Sequence, residues 1–134
     1  MKCRQIMDFL EDRVGDDGRR INAIRRWIDD QEKPGRVAID AQLGYLETVR
    51  EWTYRDIKKR KGTEAIYELI INTRDVHYRP LGFYGPKQGQ FTITLGAKEQ
   101  NSKLPKSADA SAERNREIAL RDGGRIREHE YRKK

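Results

Sequence analysis

The sequence predicts an α+β domain, on three observations. Apolar residues recur at helical spacing between Arg19 and Trp52, the period shortens to about 2 between Ala65 and Leu95, and a helix-prone run spans Ala110 to Arg121. The expected architecture is an N-terminal strand and a helical hairpin packed on one face of a small antiparallel sheet, with a C-terminal helix. With 134 residues the chain has room for one domain with a modest core. That domain is expected over residues 1–124, with residues 125–134 as a charged tail.

Residues 3–10 mix polar and apolar side chains and read as an opening strand. Asp16-Asp17-Gly18 is turn chemistry, and either aspartate can cap the helix that follows. From Arg19 to Gln31, Ile21, Ile24, Trp27 and Ile28 recur three and four apart, which predicts the first helix. Lys33-Pro34-Gly35 ends it, and Pro34 suits the first turn of a second helix carrying Ile39, Leu43, Leu46 and Val49. After the basic turn 58–62, Ala65 to Asn72 is rich in β-formers. His77 to Tyr84 is a second strand, which Pro80 and Gly82 mark as bulged or at an edge. Gly85 to Gly89 is a turn, and Gln90 to Leu95 sets Phe91, Ile93 and Leu95 on one face. Lys103 to Ser107 is a loop, and Gly123-Gly124 stops the last helix. The end, Arg125 to Lys134, reads as either an ordered strand or a loose tail.

Charge narrows the function classes. Lys and Arg number 29 against 22 Asp and Glu, a net charge of +7. Residues 1–53 are nearly balanced, so the excess lies in the rest of the chain. A one-sided basic field suits a polyanionic partner. The single cysteine, Cys3, cannot form an internal disulfide. The start of the sequence shows no signal-peptide pattern, and no run approaches the roughly 20 apolar residues of a membrane span. A soluble, cytoplasmic protein without a membrane partner is expected. There is no Walker loop, GxGxxG, CxxC or HExxH, and His77 and His129 lie far apart, so neither metal nor cofactor is expected. Asp16-Asp17 and Asp29-Asp30 sit at helix ends, where capping accounts for them.

The chemically informative stretch runs from Tyr67 to Lys106. It offers Arg74, His77 or Tyr78, Arg79, Lys98 and Lys103 on a strand framework. Arginine and lysine bind a phosphodiester and offset charge that builds on it. Tyrosine and histidine stack on splayed bases or move protons. Three motifs stand out: Tyr67-Glu68-Leu69, Tyr78-Arg79-Pro80-Leu81-Gly82-Phe83-Tyr84, and Lys98 followed by Lys103-Leu104-Pro105.

In order and spacing these motifs resemble the RelE/HigB superfamily of type II toxins, in particular the phage-derived HigB-like branch, over most of residues 3–122. The resemblance implies a RelE-like fold. It implies a metal-independent, ribosome-dependent mRNA endonuclease held in check by a cognate antitoxin protein. Carried over by motif, Arg79 would hold the scissile phosphate, and Lys98 and Lys103 would bind the RNA backbone or offset transition-state charge. Lys98, His77 and Tyr84 are the candidates for the general base, and Arg74, Tyr78, Lys87 and Lys106 complete the expected RNA-binding set. The chain departs from RelE on the strand 67–72, where RelE carries lysines and this sequence offers Glu68. His129 and Tyr131 are outside candidates set against a solvated tail. A non-catalytic nucleic-acid-binding or regulatory protein using the same basic face is the alternative. A third reading makes the hairpin an interaction surface with Trp27 and Trp52 as its sensitive positions.

Overall fold

The computed structural model describes residues 3–132. Its mixed α+β architecture contains a sheet of strands β1 (Gln5–Val14), β2 (Arg20–Asn22), β3 (Ile57–Lys59), β4 (Tyr67–Leu69), β7 (Leu81–Tyr84), β8 (Gln90–Leu95) and β9 (Ile126–Glu128). The order is β2-β1-β8-β7-β4-β3, with β9 added alongside β1. A two-stranded ribbon, β5 (Ile71–Asn72) and β6 (His77–Tyr78), stands apart. The helices are α1 (Ala23–Asp29), α2 (Lys33–Thr48) and α3 (Ala108–Arg121).

The first helix is shorter than its apolar spacing predicts. Asp17 accepts from the Arg19 amide rather than capping a helix, and Gly18 takes a left-handed φ of 79°. The turn folds Arg20–Asn22 back onto β1 as β2, so the helix begins only at Ala23. Asn22 Oδ1 accepts from the amides of Ile24 and Arg25 at 3.0 and 2.8 Å. The same side chain donates to Asp8 Oδ2 at 2.9 Å. Replacing Asn22 by alanine is therefore expected to lower stability by about 1–2 kcal/mol, measurable as a fall in the urea midpoint at unchanged slope.

The sheet is covered on both faces, not on one. Asp8 and Ile93 are register partners in the parallel β1–β8 pair, so their side chains share a face. Asp8 reaches Asp40 of α2 through His129, which places the α1–α2 hairpin on that face. The next residue on β8, Thr94, points the other way and donates its hydroxyl to Ala112 O of α3. The sheet is also not wholly antiparallel, because β1 runs parallel to β8. The main core joins Ile6, Ile24, Ile28, Ile39, Leu43, Leu46, Phe91 and Ile93.

The segment His77–Tyr84 breaks where Pro80 interrupts it, giving β6 and β7, and the register shifts between Leu81 and Gly82. Lys58 and Lys59, assigned from sequence to a basic turn, belong instead to the strand Ile57–Lys59, because it pairs with β4, Lys58 opposite Glu68. Part of the segment expected as a charged tail is also built in. Ile126–Glu128 pairs antiparallel with Met7–Phe9, and His129 is buried.

Candidate functional site

A cleft of about 580 Å³ opens between β3, β4, the segment at Arg79 and the loop leading into α3. Its charged lining is Lys58, Arg60, Glu68, Arg79, Glu99, Lys103, Lys106 and Asp109, five cations against three carboxylates. Strand alternation builds it. Tyr78 turns into the core, where a Cβ added at Gly35 would meet its hydroxyl at 2.1 Å. Its neighbour Arg79 is thereby sent to the opposite side. Glu68 lies between Tyr67 and Leu69 on β4 and faces the cleft for the same reason.

Arg79 is buried and fully engaged. Nε lies 3.4 Å from Glu68 Oε2, and Nη2 lies 3.2 Å from Glu99 Oε1. Nη1 donates to Tyr78 O at 2.7 Å and to Asn72 Oδ1 at 2.9 Å. Glu68 also holds Arg60, at 3.1 Å, and Arg60 clamps Asp109 in the first turn of α3. Hydrogen bonding to Asp109 is the largest influence on Arg60 and raises its pKa. By contrast, Lys58, Lys103 and Lys106 have no ion-pair partner among the described residues. They are the cations available to an incoming anion.

His77 joins this arrangement at one remove. Asn72 Oδ1, already accepting from Arg79, lies 2.8 Å from His77 Nδ1. An amide oxygen only accepts, so Nδ1 carries the proton and Nε2 is left facing outward on an exposed ring. The segment after β8 is tied down by Arg79 N donating to Ala97 O at 2.8 Å and Glu99 N to His77 O at 2.9 Å. Asn101 and Ser102 follow with φ of 52° and 64°, and the turn they form sets Lys103 on the cleft wall.

Of the residues singled out in the sequence, Arg79, Lys103 and Lys106 line this cleft, and His77 connects to it through Asn72. Lys98 bridges to Tyr78, so its side chain lies on the face opposite Glu99. Arg74 sits exposed in the turn joining β5 to β6. Lys87 is in the turn before β8, and Tyr84 belongs to an aromatic group with Trp52, Tyr67 and Phe91. Tyr78 is a core residue packed edge-on against Trp27, with burial raising its hydroxyl pKa. Sequence reasoning missed Lys58, Arg60, Asn72 and Glu99. The sequence carried no signal for them, because they join the cleft only through pairing, as Lys58 does opposite Glu68.

His129 and Tyr131 are part of a buried network. His129 Nδ1 lies 2.8 Å from Asp8 Oδ2, and Nε2 lies 3.0 Å from Asp40 Oδ1. Burial alone would lower the His129 pKa, but the bonds to Asp40 and Asp8 outweigh it and hold the ring near about 9, as imidazolium. Arg25 donates to Asp40 at 3.0 Å and pairs with Asp29, which also holds Arg132. Burial works against ionisation of Asp40, yet His129 and Arg25 keep its pKa low. Tyr131 donates to Glu47 Oε1 at 2.6 Å, and burial leads the causes that raise its pKa. The His129 side chain is 0% exposed, so it is out of reach of a substrate.

Among the described residues no group of three or more His, Cys, Asp or Glu side chains is placed to hold a metal ion. No helix among them is long and apolar enough to cross a membrane. No family model, curated protein or solved structure matches this chain.

Proposed function

We propose that the protein is the toxin of a type II toxin–antitoxin pair, a RelE-like endoribonuclease that cleaves cytoplasmic mRNA on the ribosome at the cleft around Arg79. The observation that carries this reading is convergence. Arg79, Lys103 and Lys106, singled out in the sequence as RNA-directed residues, line one cleft together with Lys58 and two carboxylates that touch Arg79.

The chemistry needs little beyond these groups. The RNA supplies its own nucleophile, the 2′-hydroxyl. Glu99 is the proposed base, since its carboxylate sits at the cleft and against the guanidinium. As the 2′-oxygen attacks phosphorus, charge grows on the non-bridging oxygens, and Lys103, Lys106 and Arg79 compensate it. The 5′-oxygen leaves with a proton donated from Nε2 of His77, which enters the step as imidazolium and ends it neutral, its Nδ1–H still bonded to Asn72. The products are a 2′,3′-cyclic phosphate and a 5′-hydroxyl, and the atoms balance without an added water or metal. An antitoxin would act by covering these unpaired lysines.

The proposal predicts that the intact protein arrests bacterial growth and cuts ribosome-bound message. Arg79→Ala should lower cleavage by about 100-fold or more and relieve the arrest. Glu99→Gln should lower cleavage while RNA binding persists. Normal growth with uncut message in cells making the intact protein would reject the reading. One observation favours the alternative, binding without cleavage: Glu68, Glu99 and Asn72 already occupy the Arg79 guanidinium. That alternative predicts salt-dependent RNA binding with no product, the salt slope falling by about one for each of Lys103→Ala and Lys106→Ala.

A further inference from the structure

The opposite face of β4 carries a second arrangement. Tyr67, next to Glu68, points away from the cleft and meets Tyr84 edge-on at 5.1 Å between ring centres. Trp52 stands 6.0 Å from Tyr84 in a tilted arrangement. The Arg4 guanidinium caps the notch between those two rings, 5.1 Å from the centre of Trp52 and 5.0 Å from that of Tyr84. Three features are unusual for ordinary packing. Arg4 has no ion-pair partner among the described residues, and its Nε is buried with no hydrogen-bond partner. Tyr84, at the centre of the group, is 42% exposed. The guanidinium rests on two aromatic faces, yet its Nε lacks the acceptor that buried polar groups ordinarily find.

We propose that the Trp52–Tyr84 notch is a stacking subsite for one unpaired base of a single-stranded RNA, with Arg4 turning from the rings to the adjoining phosphate. The inference rests on the RNA reading above and specifies its substrate as single-stranded. Aromatic rings accept any base face, whereas a duplex keeps its bases stacked on one another and offers none. The guanidinium is planar and lies where a base would stack, and a phosphate oxygen is the acceptor that Nε lacks. The two sites share an edge: in β3, Lys58 lies opposite Glu68 on the cleft side and Lys59 opposite Tyr67 on the notch side. A strand crossing β3 would pass cations on both faces.

The test uses a fluorescein-labelled eight-nucleotide uridine RNA and a blunt, GC-rich RNA duplex that presents no unpaired base. Trp27→Phe leaves Trp52 as the one tryptophan, whose emission should be quenched by the unlabelled single strand and not by the duplex. Tyr84→Leu and Arg4→Ala should each weaken single-strand binding by about tenfold and leave duplex binding unchanged, while Tyr84→Phe should bind as the intact protein does. Melting curves confirm that each variant is folded, and Arg4→Ala carries the test should Tyr84→Leu unfold. If Lys103→Ala weakens binding but Arg4→Ala and Tyr84→Leu do not, the notch is no subsite and the cleft reading stands. If the intact protein binds neither RNA, both readings fall.

Discussion

Replacing His129 by alanine should remove about 3–5 kcal/mol of stability, a large share of the roughly 5–15 kcal/mol that holds a domain together. Asp8 is 0% exposed, and among the described residues its only cationic partner is the imidazolium. Without the ring, buried Asp8 keeps the Asn22 amide but no cation, and Asp40 keeps Arg25 and the Arg132 backbone amide. The effect should depend on pH in a definite sense. The folded-state pKa of His129 is raised from 6.5 to about 9. The contribution is therefore complete below pH about 6.5 and is lost as pH rises through about 9. Urea unfolding of the intact protein should show stability falling between pH 7 and 10. In His129→Gln that fall should flatten, because no titrating ring remains. An unchanged pH profile in this variant would show that the ring is not charged in the fold.

The second large effect is expected at Gly82. A Cβ there would lie 2.2 Å from Thr92 O and 2.7 Å from Phe91 Cε2. The first of these is backbone of the neighbouring strand, held by its ladder with β7, so the contact cannot be relieved by a rotamer change. Gly82 also sits where the β7–β8 register shifts, a position that tolerates no extra bulk. Gly82→Ala should cost about 3 kcal/mol or more, and binding at the cleft should weaken with it because β7 joins β4 to the rest of the sheet. Gly89→Ala provides the comparison. Gly89 has a left-handed φ of 83° but nothing within reach of a Cβ, so only about 1–2 kcal/mol should be lost. Equal losses in the two variants would remove the steric argument.

The elements legible in the sequence are those whose own residues decide them. The second helix follows the spacing of Ile39, Leu43 and Leu46, and β8 follows the alternation of Phe91 and Ile93. The strands that escaped notice, β2 and β3, and β9, left open between strand and tail, are three residues each and largely polar. They are strands because a partner is present, and propensity says little over so short a span. The candidate cleft was legible in Arg79, Lys103 and Lys106, and not in Lys58, Arg60 or its carboxylates. A search for phosphate-binding residues picks out Arg79 and the lysines. Glu68 and Glu99, which engage Arg79, are found only once β4 and the segment after β8 lie on either side of it. The Asp8–His129–Asp40 network could not be read at all, because its members lie up to 121 residues apart.

The pairing of β9 with β1 sets a schedule on synthesis. Strand β1 emerges first of the sheet and soon has β2 beside its C-terminal half, yet its parallel neighbour β8 follows some eighty residues later and Met7–Phe9 on its other flank wait for Ile126–Glu128. Until His129 has been added, Asp8 has no cation to accompany it into the interior. Non-local pairings of this kind close late and slowly. The nascent chain thus carries its cleft lysines on a sheet that is unfinished until β9 is delivered. Under the function proposed above, that delay would separate manufacture from action.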